Sequence, residues 1–147
     1  ITHQLSFYSF RKFLSKSIRP IPNFLFYAYD PHGIKLLTRL RVGLSHLREQ
    51  KFRHGFNDTI DSFCPCNMEI ESVSHFFLRY LNYTNLSSDL MNELMKINPN
   101  ILQYNHDHLT EILLYSDKNL THLINTEIIN LSISFIIKSG RFDGPLL

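Results

Sequence analysis

Hydrophobic residues recur at intervals of three and four along most of the chain, and that period predicts helices. Over residues 34–51, Leu37, Leu40, Leu44 and Leu47 are joined by Ile34 and Leu36. At about 100° per residue they fall on one stripe, so a single helix is expected there. A second stripe, Leu86, Leu90, Leu94 and Ile97, is ended by Asn98-Pro99-Asn100. A short helical segment around "DHLTEILLYS" follows. The last helix is expected over residues 119–138, with Ile124, Ile128, Leu131 and Phe135 as its stripe. Its isoleucines lower helix propensity slightly, but length and period favour helix over strand. Gly140 ends it, and Gly144-Pro145 prevent a restart. Near the start, Phe7, Phe10, Phe13 or Leu14, and Ile18 suggest a short basic amphipathic helix. "RPIPN" then forces an extended connection, because each proline restricts both itself and the residue before it. Asp30-Pro31 and Gly33 mark a turn.

The expected architecture is mostly α: four or five helices in a small domain. Residues 1–32 form a basic, aromatic, Pro-containing N-terminal segment. Residues 33–147 form the helical domain, with a Cys/His loop at 54–80. Composition supports a packed core, with 44% hydrophobic residues and 12 Phe among 147, and few Gly (5) or Pro (6) to loosen it. No stretch approaches the ~18 consecutive apolar residues of a membrane span. The first residue is Ile, not Met, which fits a fragment or a processed product. Intracellular residence, in nucleus or cytoplasm, is expected because there is no secretory leader pattern. The sequons at Asn57, Asn82, Asn85, Asn119 and Asn130 then read as accidents of an Asn-rich composition.

Net charge is only +2, but it is unevenly spread. Between Arg11 and His54 the cations are Arg11, Lys12, Lys16, Arg19, Lys35, Arg39, Arg41, Arg48, Lys51 and Arg53, against Asp30 and Glu49. Such asymmetry suggests a polyanionic partner for the first half. Lys35, Arg39, Arg41, Arg48, Lys51 and Arg53 are the candidate phosphate contacts. An ordinary solvated basic face is the competing reading.

The stretch "CPCNMEIESVSHFFLRY" brings two cysteines and a histidine together. "HGFNDTIDSFCPC" should be loop or tight turn, and "ESVSHFFLRYL" a helix start capped by Ser72 or Ser74. A structural zinc site takes four tetrahedral ligands. Cys64 and Cys66 offer two sulfurs and His75 a nitrogen. The natural fourth position, one turn on, holds Arg79 or Tyr80, and neither is a normal zinc ligand. His54, Glu69, Glu71 or a water could complete the shell. Two buried cysteines and a hydrogen-bonded histidine, with no metal, is the plainer alternative. A disulfide across one intervening residue is disfavoured by geometry.

The run "GIKLLTRLRVGLSHLREQKFRHGFNDTIDSFCPCNMEIESVSHFFLRYLNY" closely resembles the region just downstream of the polymerase domain in reverse transcriptases of non-LTR, jockey-like retrotransposons. "IRPIPNFLFYAYDPHG" and the ending "RFDGPLL" extend the resemblance over most of the chain, with Lys138, Arg141, Phe142 and Asp143 in their expected places. The resemblance implies a Cys-x-Cys-x8-His-x4-Cys zinc knuckle, in which Cys64, Cys66 and His75 match and Tyr80 stands at the last cysteine. It therefore implies zinc held weakly or lost. It also implies element RNA or target DNA and the parent polymerase domain as partners, with no membrane.

A polymerase needs paired carboxylates to hold two metal ions. "YAYD" supplies only Asp30 and is followed by Pro31. No other catalytic constellation is evident, and His106-Asp107-His108 reads as a surface loop or helix cap. The expected role is thus a non-catalytic C-terminal segment that aids nucleic-acid binding. The alternatives are a helical module packed on the polymerase body, or the inactive remnant of a dead element copy.

Overall fold

The structure, a computed structural model, describes residues 30–144. The amphipathic helix expected around Phe7–Ile18 lies outside the described residues. Among those described there are six α-helices: α1 (Pro31–Val42), α2 (Arg48–Arg53), α3 (Val73–Leu78), α4 (Thr84–Ile97), α5 (His106–Tyr115) and α6 (His122–Ser139). Short 3-10 turns at Leu81–Tyr83 and Pro99–Gln103 flank α4. The described part is thus mostly helical, with one isolated antiparallel bridge between Phe63 and Ile70.

Local chemistry explains most boundaries. Asp30 accepts from the N–H groups of His32 and Gly33, and Pro31 occupies the first turn. The Asp-Pro pair therefore starts α1, where the sequence suggested a separate turn. Ser72 caps α3 by accepting from His75 N at 3.1 Å. Asn105 caps α5 and Thr121 caps α6. Gly140 ends α6 in the left-handed conformation at φ 65°.

The expected continuous helix over residues 34–51 is broken. Gly43 adopts φ 77° and closes α1, with Leu44 N donating to Arg39 O at 2.9 Å. The chain then turns before α2 begins at Arg48. Leu44, which a straight helix would have buried, is 50% exposed, while Leu47 is fully buried. Buried Gln50 bridges the break: its side-chain oxygen accepts from Ser45 N at 2.7 Å.

α6 is the centre, packing on α1, α4 and α5, and α5 in turn packs on α3 and α1. Its buried set, including Ile128, Ile129, Ile133, Phe135 and Ile136, is wider than a single stripe because helices cover it on several sides. Phe76 of α3 meets Phe77, Phe135 and Phe142 at ring distances of 5.1, 5.2 and 5.4 Å. Polar groups inside this core are satisfied by backbone: Ser132 Oγ lies 2.8 Å from Leu113 O, and Ser87 Oγ donates to Phe77 O at 2.8 Å.

α1 approaches α6 closely at Gly33, where an added Cβ would sit 2.2 Å from Ile133 Cγ2. Gly33→Ala gains up to ~1 kcal/mol of helix propensity but overpacks the contact, which costs about 1–3 kcal/mol. The clash wins, so urea denaturation should show a lower midpoint for Gly33→Ala. A midpoint at or above wild type would mean the helices are not in contact there.

Candidate metal centre and basic face

The Cys/His loop is a short hairpin. Phe63 and Ile70 pair across it, Cys64 N donates to Glu69 O at 2.9 Å, and Asn67 N donates to Cys64 O at 2.9 Å. Asn67 takes the left-handed conformation, φ 62°, which an asparagine tolerates better than most residues. This tight Cys-Pro-Cys-Asn turn places both sulfurs at the tip. His75, on the first turn of α3, comes in from the side with Nε2 3.4 Å from Cys66 Sγ. The donor atoms of Cys64, Cys66 and His75 all lie within 4.8 Å of one another. Two donors bound at about 2.0–2.3 Å to one ion at tetrahedral or trigonal angles lie about 3.3–4.0 Å apart, so the three residues are close enough to bind a metal. Cys64 and His75 are buried and Cys66 is half-buried.

A carboxylate stands behind the imidazole. Glu69 Oε2 lies 3.3 Å from His75 Nδ1. Arg79 holds that carboxylate from the other side, with Nε 2.9 Å and Nη2 2.8 Å from Glu69 Oε1. Its hydrogen bonds keep the Glu69 carboxyl below its ordinary range. Metal-bound histidines usually turn their second nitrogen to such a partner. Arg79 also donates to Ser74 Oγ at 2.9 Å and meets His106 Nδ1 at 2.7 Å.

Tyr80 is buried and its ring is 5.3 Å from that of His75. Burial, and then the neighbouring thiol, push the Tyr80 hydroxyl well above its usual range. Burial likewise raises the Cys64 thiol to about 11. A protonated phenol therefore stands beside the three donors, at the sequence position one turn beyond His75. The other candidates for a fourth ligand are employed elsewhere. His54 Nε2 is 2.9 Å from Gly43 O, and it is not part of the cluster. Glu69 faces the far nitrogen of His75.

Glu71, also weighed as a ligand, turns into the protein instead. It is fully buried and accepts from Arg141 through Nε at 2.9 Å and Nη2 at 2.8 Å. Arg48 N donates to it at 2.7 Å. Arg141 Nη2 also reaches His46 O at 2.9 Å. One carboxylate thus joins the hairpin, the start of α2 and the turn after α6.

The six candidate phosphate contacts separate. Lys35 is exposed and Arg39 half-buried, and among the described residues neither makes an ion pair. Arg48 pairs with Asp61 at 3.3 Å, Lys51 with Asp58 at 2.6 Å and Arg53 with Glu49 at 3.2 Å. Arg41 must be withdrawn from the face. It is 5% exposed, donates through Nε to Leu114 O, and lies over the Tyr115 ring at 5.7 Å. Burial lowers its guanidinium to about 10, so it remains charged at neutral pH. Asp30, the lone aspartate of "YAYD", is a helix cap, and His106-Asp107-His108 opens α5.

Sequence reasoning gave the three metal donors but missed their surroundings. Nothing in local spacing points to Glu69 and Arg79 as the support of His75, or to Arg141 as the partner of Glu71. Compared with protein-family models, curated proteins and solved structures, the chain finds no match.

Removing one member of a buried ion pair costs about 3–5 kcal/mol, because the other charge stays buried without compensation. Arg141 keeps about a quarter of its side chain exposed, so the lower end applies. Glu71→Gln should therefore lose roughly 3 kcal/mol in chemical denaturation, whereas Glu127→Gln, on the exposed side of α6, should lose less than about 0.5 kcal/mol. Equal losses would refute the brace.

Proposed function

We propose that this chain is a non-catalytic helical segment of a mobile-element RNA-directed DNA polymerase, and that it helps hold element RNA or target DNA. The observation that carries the reading joins two separate blocks of the resemblance. The terminal "RFDG" closes on the Cys/His loop, with Arg141 on Glu71 and Phe142 on Phe76. Blocks 70 residues apart in sequence belong to one unit, as the parts of one inherited module should.

The binding face consists of Lys35 and Arg39 on α1, supported by Arg48, Lys51 and Arg53. The last three have acidic neighbours, but exposed ion pairs are weak and exchange readily for phosphate. All 13 acidic residues lie from Asp30 onward, while Arg11, Lys12, Lys16 and Arg19 precede it. The described body is thus not a strongly basic particle, and affinity should be modest and salt-sensitive.

A second reading, docking on the polymerase body, has its own support. Phe52, Ile60, Phe63, Met68 and Ile70 are exposed by 42, 85, 52, 69 and 41% within one short stretch. Apolar groups gathered in this way mark contact surfaces.

Fluorescence anisotropy with labelled RNA and DNA across a salt series separates the two. Phosphate contacts make log K fall linearly with log salt, by about 0.7–0.9 per contact. Replacing Lys35 and Arg39 together by Gln should flatten that slope by roughly 1.5. Binding that ignores salt, or none at all at low salt, would leave the docking reading.

A further inference from the structure

The cluster offers three donors, two of them sulfur. Zinc in a structural site is bound by four ligands, almost always tetrahedrally. Here no fourth protein donor joins the cluster, and the sequence position one turn on holds Tyr80, whose buried ring packs against His75 beside Cys64. Glu69, His54 and Glu71 are each held by other partners, at Arg79, Gly43 O and Arg141. Completing a tetrahedron with a fourth protein ligand would require displacing Tyr80 or breaking one of those contacts, which leaves only a water on the side of half-buried Cys66.

A closed-shell monocation has different needs. Thiolate sulfur is a soft donor that selects Cu(I), and imidazole also suits copper. Cu(I) is stable with only three such donors, so it does not need the place Tyr80 holds. We propose that the Cys64, Cys66 and His75 cluster is a three-coordinate site for Cu(I), with Tyr80 standing in place of the fourth protein ligand a zinc tetrahedron would use. The inference deepens the metal-centre part of the reading above and does not depend on polynucleotide binding.

The geometry gives each group a role. Cys66, half-buried, is the point of entry, and Cys64 and His75 are the buried donors. On binding, the two thiols release their protons to solvent and the sulfurs donate electron pairs to the ion. No change of oxidation state occurs. His75 binds through Nε2, which faces Cys66, while Nδ1 lies on the other side of the ring, 3.3 Å from Glu69 Oε2. Glu69 and Arg79 are positioning residues, since they fix the ring without touching the ion. The site is thus buried on three sides, with its carboxylate support already in place.

The full chain, purified under anaerobic reducing conditions, is titrated with Cu(I) buffered by bathocuproine disulfonate, and separately with Zn(II) buffered by pyridylazoresorcinol. One equivalent of Cu(I) should be retained against excess chelator, with X-ray absorption showing two sulfurs and one nitrogen. Zn(II) should be removed readily. Tyr80→Cys should reverse the preference by adding a fourth ligand and retain one equivalent of zinc. Tyr80→Phe should keep Cu(I) as wild type does. Cys66→Ser, at the half-exposed position, should lose Cu(I) while its far-UV circular dichroism stays unchanged, and Glu69→Gln should weaken Cu(I) by roughly 10–100-fold. Retention of one zinc by wild type as tight as in Tyr80→Cys would overturn the proposal. So would undiminished Cu(I) retention in Cys66→Ser, or failure of wild type to retain Cu(I). Failure of RNA or DNA binding would leave each of these outcomes readable.

Discussion

The grip of Arg141 on Glu71 is the constraint on which the rest of the arrangement depends. Glu71 has no solvent exposure, and a buried carboxylate is tolerable only when its lone pairs are satisfied. Two guanidinium nitrogens and one backbone N–H do this. Each comes from a different place: Arg141 from the turn after α6, and the N–H from the first residue of α2. The backbone of Glu71 adds two more ties, donating to Ser62 O at 2.9 Å and accepting from Glu49 N at 3.3 Å. The helix α2 is only six residues long and would not persist alone. Its attachment through Glu71 is what gives it a fixed position, and the basic residues Arg48, Lys51 and Arg53 are fixed with it.

The same hairpin carries the sulfurs. Ser62, at its base, accepts from Glu71, and Cys64 at its tip faces His75. The brace therefore sets the distance between the loop and α3 before any ion arrives. On the opposite side, Arg79 holds Glu69, and Glu69 faces the imidazole. Two ion pairs thus flank the cluster, one structural and one aimed at the histidine. Beside the cluster sits Tyr80, whose buried ring packs on that of His75. Three donors are thus close enough to bind a metal ion, with no fourth protein donor in the cluster.

The charge pattern has a similar division. The N-terminal half looked basic from its residue list, yet Arg41 is spent inside the fold. Its Nε satisfies the carbonyl of Leu114, and its own carbonyl accepts from the Tyr115 hydroxyl at 3.1 Å. A buried arginine of this kind joins α1 to α5 and cannot reach a phosphate. Three more cations have acidic neighbours within 3.3 Å. Of the six candidate contacts, only Lys35 and Arg39 thus keep no acidic partner among the described residues and remain at the surface, a narrower face than the sequence suggested.

Much of this was legible in the residues themselves. Periodicity gave the helical class and the extents of α4, α5 and α6 to within a few residues, because a repeated apolar face reports local geometry. Ser72, Asn98-Pro99 and Gly140 marked boundaries because capping is a matter of a few adjacent atoms. The three metal donors were evident from their chemistry. The break at Gly43 was not, since a leucine period continues through it, and only the packing of α1 on α6 shows where the chain must turn. Nor was the burial of Arg41, because period alone does not say which flank another helix will cover. The pairing of Glu71 with Arg141 joins residues 70 apart, and no short-range pattern encodes such a contact. Sequence determined which elements form and which atoms can ligate. Tertiary structure decided which charges are consumed and which donors meet, because both depend on what neighbouring elements bring to the same point in space.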